Sequence, residues 1–144
     1  MVPLVKRVLR AGIPVMGHLG LTPQSVHRFG GWKVQGKDEN SAQQVYDAAL
    51  SLQDAGCFAI VLEAIPVDLA KRVSEALEIP TIGIGAGPHC DGQVLVTPDM
   101  LGVTGFEAKY VKRYASLAET IGTAIGEYVD DVKQRRYPTE EQGY

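Results

Sequence analysis

Apolar positions follow two alternating patterns along the chain. In the first they recur three or four residues apart, which predicts amphipathic helices over 3–11, 41–55, 66–77 and 106–133. In the second they form short unbroken runs, which predict strands over 13–17, 58–62, 80–84 and 93–96. The run at 58–62 is apolar throughout, as expected for a strand covered on both faces. The spacing leaves open whether Gly122 and Gly126 break the last helix.

Because helices and strands alternate, the strands are expected to be parallel and joined by right-handed helical crossovers. Four such strands fit either a small doubly wound sheet or half of a (β/α)8 barrel, whose complete form takes about 250 residues. The pattern does not choose between these two architectures. In both of them ligands bind at the carboxyl ends of the strands, so the side chains at those ends are the candidates for chemistry.

Composition narrows the functional classes. The chain has 144 residues, 45% hydrophobic and 22% charged, which is ordinary for a globular domain with a core. A net charge of −3 argues against a nucleic-acid partner. No apolar run approaches the roughly 18 residues of a membrane helix, and the first residues lack the apolar centre of a signal peptide. Cys57 and Cys90 lie in no metal-binding spacing, so two free thiols in a reducing compartment are expected.

Glu63 directly follows the apolar run at 58–62 and is expected at the carboxyl end of that strand. A carboxylate in this position is partly desolvated, and desolvation makes it a stronger base near neutral pH. Barrel enzymes take catalytic groups from this level of the sheet. A structural role, in which Glu63 caps a loop or forms an ion pair, explains its position equally well.

His18 is expected at the same level, at the end of the first strand and between Gly17 and Gly20. A single histidine is more often a hydrogen-bonded structural residue than a catalyst. The neighbouring glycines favour function, because they permit close approach to the backbone. The hydroxyls of Thr22 and Ser25 are better explained by helix capping than by chemistry.

Three further segments are predicted to be loops. Residues 83–87 follow a strand, but their glycines lack the GxGxxG spacing and Pro88 comes next, so no nucleotide-binding turn is expected. The adjacent side chains at 89–91 (His-Cys-Asp) would rarely converge on one metal ion. The glycine-rich stretch 29–38 is expected to be a long loop, and long loops in compact domains are often functional.

Five segments together resemble one enzyme family. They are GHLGLTPQS (17–25), FGGWKVQGK (29–37), VLEAIP (61–66), IPTIGIGAG (79–87) and DGQVLV (91–96). In this order and spacing they are similar to ketopantoate hydroxymethyltransferase (3-methyl-2-oxobutanoate hydroxymethyltransferase) over nearly the whole chain. The resemblance implies the C-terminal half of a (β/α)8 TIM barrel of the phosphoenolpyruvate/pyruvate type over 1–134, followed by a polar tail at 135–144.

The resemblance also implies a reaction. The family transfers a hydroxymethyl group from 5,10-methylenetetrahydrofolate to the 2-oxo acid 3-methyl-2-oxobutanoate, with magnesium (Mg2+), in the synthesis of pantothenate and coenzyme A. Glu63 matches the family's catalytic base and His18 matches a pocket residue. The family's magnesium-binding acids, and the lysine that holds the 2-oxo acid, lie on strands that this chain does not match. No metal ligands are therefore expected in this chain.

The family forms decamers, so the resemblance implies a homo-oligomer. The location is expected to be cytoplasmic, or organellar if a targeting sequence precedes Met1. Two functions remain open: a hydroxymethyltransferase with Glu63 as general base, or a non-catalytic truncated half-barrel that only associates with other chains. An unrelated isomerase or lyase on the same barrel is less favoured. Coding sequence for four more βα units upstream of Met1 would favour a fragment of a normal enzyme.

Overall fold

The structure is a computed structural model that describes residues 2–27 and 30–144. It divides into two compact units, unit 1 (Met1–Val94) and unit 2 (Leu95–Tyr144). The predicted loop at 29–38 begins at Phe29, which lies outside the described residues. The boundary between a barrel segment and a tail at residue 134 stays a prediction.

Unit 1 is a parallel sheet with a helix after each of its first two strands and one before the first. Its elements are α1 (Val2–Arg10), β1 (Met16–Gly20), a 3-10 turn (Pro23–Ser25), α2 (Glu39–Asp54), β2 (Ala59–Glu63), α3 (Val67–Ala76), β3 (Thr81–Ile84) and β4 (Gly92–Gln93). The strands pair in chain order, β1-β2-β3-β4, and every pair is parallel. This confirms the predicted α/β class with a parallel sheet, and the strand order is consistent with half of a (β/α)8 barrel.

The core lies between the sheet and its helices. Ile60 and Leu62 are fully buried on one face of β2. They pack in one cluster with apolar side chains of the helices, which are Ala49, Leu52, Leu69, Ala70 and Val73. Val61, which points to the other face, is only partly buried, and Phe58 before the strand is 49% exposed. Ala59 and Glu63 lie on the same face as Val61 and are buried, so the predicted covering on both faces holds along β2 and fails only at Phe58.

Two strand boundaries also differ from the prediction. The strand expected at 13–17 is found three residues later, because Pro14 has no N–H to donate and pairing begins where Phe58 N donates to Val15 O (3.1 Å). This shift places His18 inside β1 rather than after it. The strand expected at 93–96 is reduced to β4, and Val96 instead precedes a short helix.

The helix starts show which capping residues the pattern missed. The helix expected from residue 41 begins at Glu39, because the Asp38 side chain accepts a hydrogen bond from Ser41 N (2.9 Å). The Ser41 hydroxyl also donates to this carboxylate, and these bonds lower the pKa of Asp38. Thr22 was expected to cap a helix, but it precedes only a 3-10 turn and its side chain makes no capping bond.

Unit 2 contains a short helix, α4 (Thr97–Met100), and a long one, α5 (Leu117–Lys133). The predicted helix over 106–133 is therefore wrong in its first part. Tyr114 N donates to Met100 O (2.7 Å) and Leu117 N to Leu101 O (3.0 Å). These amides cannot also bond four residues back along a helix. α5 runs unbroken through Gly122 and Gly126, although each glycine costs a helix about 1 kcal/mol.

Cys57 and Cys90 are free, as predicted, and burial raises the pKa of the Cys57 thiol. Across residues 2–27 and 30–144, no helix combines the length and apolarity needed to cross a membrane.

A polar network ties the beginning of β3 to the turn before β4. Thr81 is fully buried, and its backbone N–H (2.7 Å) and hydroxyl (2.9 Å) both donate to Asp91 Oδ2. Ser74 of α3 reaches the same hydroxyl, with 2.7 Å between the oxygens. The Thr81 N–H, followed by its hydroxyl, lowers the pKa of Asp91. The segment at 89–91 is thus a loop, as predicted, and its carboxylate stabilises the sheet.

This network predicts a pH-dependent loss of stability in Asp91→Asn. The folded-state pKa of Asp91 lies below the usual value of 3.8, so its hydrogen bonds stabilise the fold above that pH and lose this effect as the pH falls further. Because Asp91 is exposed, we expect a loss of about 1 kcal/mol near pH 7. Urea unfolding of both proteins should show this difference shrinking below about pH 4. An equal difference at pH 7 and pH 3 would contradict the role of the charge.

Candidate active site

Glu63 is the last residue of β2 and is one of the few buried charged residues among those described. In the sheet it pairs with Gly20 on one side and Ile84 on the other, which are the last residues of β1 and β3. Three strands therefore end at the same level around this carboxylate. The carboxyl ends of parallel strands are where α/β proteins bind ligands, so the predicted position of Glu63 is confirmed by the topology.

His18 lies on β1 and contacts Glu63 directly. Its Nε2 is 3.0 Å from Glu63 Oε2, and the two side chains are 32% and 10% exposed. When Glu63 is ionised, the Nε2–H tautomer of His18 donates this hydrogen bond. The contact forms because His18 pairs with Val61 in the register, one side-chain repeat before Gly20 and Glu63 on the same face.

The backbone around Glu63 is held by close contacts. Leu21 N donates to Glu63 O (2.9 Å), and Ala64 N donates to Ile84 O (2.9 Å). Gly20 has a φ of +89°, and a Cβ on it would lie 2.1 Å from Glu63 O. Ala64 also has a positive φ, of 47°. The glycine expected to permit close approach thus admits the chain's own backbone, and the approach fixes where Glu63 stands.

The loop after β1 returns to the end of β2. Gln35 N donates to Ala64 O (3.0 Å), the residue next to Glu63. Gly36 follows with a φ of +72°, and a Cβ there would lie 2.5 Å from Leu69 Cδ2 of α3. Residues 35–36 therefore anchor the loop beside the candidate site. The sequence predicted a long loop here but not its attachment, for which Gly36, with its left-handed backbone, is the residue whose type gave a signal.

Asp91 and Thr22, which the sequence also singled out, form hydrogen bonds elsewhere in unit 1 rather than with Glu63 or His18. Asp91 bonds Thr81 at the amino end of β3, opposite to the end where Glu63 lies. The backbone of Thr22 accepts from Ser25 N (2.8 Å), which closes the turn after β1. Within residues 2–27 and 30–144, no group of three or more His, Cys, Asp and Glu side chains is placed to hold a metal ion.

Comparison with known proteins decides the family. The family model described as ketopantoate hydroxymethyltransferase matches residues 1–140. The chain belongs to this family. The resemblance carried by the five sequence segments is therefore confirmed.

Curated relatives carry the name 3-methyl-2-oxobutanoate hydroxymethyltransferase. One from an Anaeromyxobacter species is 55% identical over 99% of this chain and 47% of its own length. Relatives from Trichlorobacter lovleyi and Salinibacter ruber are also 55% identical, over 100% and 99% of this chain and 54% of their own lengths. The chain spans about half the length of the curated relatives it matches.

In this ketopantoate hydroxymethyltransferase family member, the site offers one clear chemical capacity. The largely buried carboxylate of Glu63 lies at the carboxyl ends of the strands. Among the described residues, His18 is the hydrogen-bond partner of this side chain. The histidine engages Oε2 and so orients Oε1. A carboxylate oriented in this way can accept a proton from a bound carbon acid.

The close approach at Gly20 predicts a large effect of one methyl group. Gly20→Ala should destabilise unit 1 by about 3 kcal/mol or more, because the Cβ meets Glu63 O and the backbone remains left-handed. Gly12→Ala is the matched control, since Gly12 has a φ of +78° with no atom within 4 Å of its Cβ position. It should cost about 1–2 kcal/mol. Equal losses in urea unfolding would show that the contact with Glu63 O is unimportant.

The hydrogen bond between His18 and Glu63 predicts a measurable coupling energy. A double-mutant cycle of His18→Ala and Glu63→Ala should give about 1–2 kcal/mol, because the carboxylate loses its partner while largely buried. The control is the exposed helical pair Lys71–Glu75, at 3.8 Å, for which about 0.3–0.5 kcal/mol is expected. A coupling no larger than that of the control pair would contradict a specific contact.

Proposed function

We propose that this chain carries the proton-abstracting part of a ketopantoate hydroxymethyltransferase site, with Glu63 as the general base. The observation that supports this most is the pair formed by Glu63 and His18 at the carboxyl ends of the parallel strands. The substrate would be 3-methyl-2-oxobutanoate and the one-carbon donor 5,10-methylenetetrahydrofolate. The product, ketopantoate, leads to pantothenate and coenzyme A.

The first step is removal of the C3 proton of the 2-oxo acid. The C3–H bond breaks, the proton passes to Glu63, and the electron pair spreads onto the 2-oxo oxygen as an enolate. Carbon acids of this kind are weak, so a positioned base contributes about 10²–10⁴-fold to the rate. The enolate carbon then bonds to the methylene carbon of the donor as one of its two C–N bonds breaks. Water displaces the second nitrogen and becomes the hydroxyl group, and the protons from Glu63 and from water pass to the two nitrogens of the departing tetrahydrofolate.

His18 acts in this proposal as a pocket residue that positions the base. Its bond to Oε2 holds the carboxylate in one orientation, which keeps Oε1 directed at the substrate carbon. After the proton has been accepted, the protonated carboxyl group can still share a hydrogen bond with Nε2. His18 therefore contributes through Glu63, and the sequence-based assignment of it as a pocket residue stays a prediction.

The rest of the site is not found among the described residues. The resemblance implies magnesium, but no acidic cluster in residues 2–27 and 30–144 fits a metal that takes six oxygen ligands. Curated relatives extend over about twice the matched length, and we propose that metal ligands and the lysine for the 2-oxo acid belong to that part. A cytoplasmic location and assembly with other chains stay predictions.

The proposed role of Glu63 is tested by isotope exchange. The chain is joined to the preceding half of the Trichlorobacter lovleyi relative, and exchange of the C3 proton with deuterated water is followed without folate. Glu63→Gln keeps the size and the hydrogen bond but cannot take a proton at neutral pH. We expect it to bind the 2-oxo acid unchanged and to slow exchange by about 10²–10⁴-fold.

Two comparisons make the result decisive. Glu75→Gln, an exposed change on α3, should exchange at the wild-type rate. A Glu63→Gln protein that exchanges at the wild-type rate would remove Glu63 as the base and make His18 the leading candidate. A joined protein that binds the 2-oxo acid but shows no exchange at all would favour the non-catalytic half-barrel.

A further inference from the structure

The loop after β1 presents an unusual side chain to solvent. Trp32, the one tryptophan of the chain, is 68% exposed. Val34 beside it is also exposed. Tryptophan combines a large apolar surface with a polar N–H group, and for this reason it is enriched where proteins bind ligands and partners. The proposed chemistry of Glu63 and His18 does not use it.

The backbone segment that carries Trp32 is nevertheless attached beside the candidate site. It lies three residues before Gln35, whose N–H donates to Ala64 O next to Glu63 (3.0 Å). Three residues span at most about 10–11 Å, so the backbone of Trp32 lies within that distance of Gln35 and therefore near the end of β2. On the N-terminal side of Trp32, Gly31 N donates to Val26 O (2.9 Å). This bond holds the beginning of the segment 30–37 near β1.

Positive charge accompanies the aromatic ring. Lys33 follows Trp32, and its Nζ lies over Gly30, 3.3 Å from where a Cβ would be. Lys37 stands just beyond the Gln35 anchor. Neither lysine forms an ion pair with any residue that the structure describes. The segment 30–37 therefore combines an exposed flat ring with two lysines that have no acidic partner among the described residues.

We propose that the segment 30–37 is the binding surface for the one-carbon donor, with Trp32 stacking on a flat heteroaromatic ring and Lys33 facing its anionic arm. This inference rests on the proposed function, which requires a folate as co-substrate. A folate has this chemistry, a pterin ring with a glutamate-bearing arm. Its transferable carbon is attached at the ring, so the ring must lie within reach of Glu63. A tryptophan whose backbone is held within about 10–11 Å of Gln35, which is bonded beside the end of β2, is consistent with that requirement.

The single tryptophan allows a direct test. The 144-residue chain is labelled with 5-fluorotryptophan, which gives one fluorine resonance, and is titrated with 5-formyltetrahydrofolate. We expect a saturable shift of this resonance. By calorimetry, Trp32→Leu should weaken binding about tenfold or more, whereas Trp32→Phe keeps most of it. Lys33→Ala should weaken it about two- to fivefold, and the matched control Lys6→Ala, on α1, should leave it unchanged.

Several outcomes would overturn the proposal. These are no saturable shift up to about 1 mM, unchanged affinity in Trp32→Leu, or equal affinity for ATP. A shift that follows protein concentration instead of the probe would also overturn it and would show that Trp32 contacts a second copy. Glu63→Gln separates this inference from the proposed function, because it should bind the folate normally even where isotope exchange fails.

Discussion

The register between β1 and β2 is the constraint on which the candidate site depends. Because Gly20 stands opposite Glu63, His18 falls one side-chain repeat earlier on the same face and within hydrogen-bond distance of the carboxylate. A shift of one residue would turn either side chain to the helix-covered face. The left-handed glycine at the end of β1 secures this register, since no other residue tolerates the approach of Glu63 O.

The elements that the sequence predicted well are those whose pattern is local. α3 and β2 have regular apolar spacing and clear ends, and both lie within a residue or two of their predicted bounds. The helix expected from residue 106 was wrong because amides such as Tyr114 N bond the carbonyl of Met100. Such a pairing overrides helical spacing and has no local signal.

In the candidate site, too, local features could be predicted from the sequence and long-range contacts could not. The place of Glu63 at a strand end followed from the apolar run before it. The contact with His18 could not be derived, because it depends on a register between residues that are 45 positions apart in the chain. The attachment of the loop at Gln35 was equally hidden, since a backbone hydrogen bond leaves no mark on residue type. Sequence thus indicated the groups, and only the sheet shows that they meet.

The network of Thr81 and Asp91 has a consequence for how this fold can change. Thr81 stands opposite Ile60 in the register, three residues before Glu63, which is about 10 Å along the strand. The polar network around Thr81 and the side chains assigned to chemistry therefore lie at opposite ends of the sheet. At this separation, substitutions in the network and in those side chains are expected to act additively on stability. A protein engineer could redesign the carboxyl ends of the strands for another substrate and offset any lost stability with substitutions at the amino end of β3.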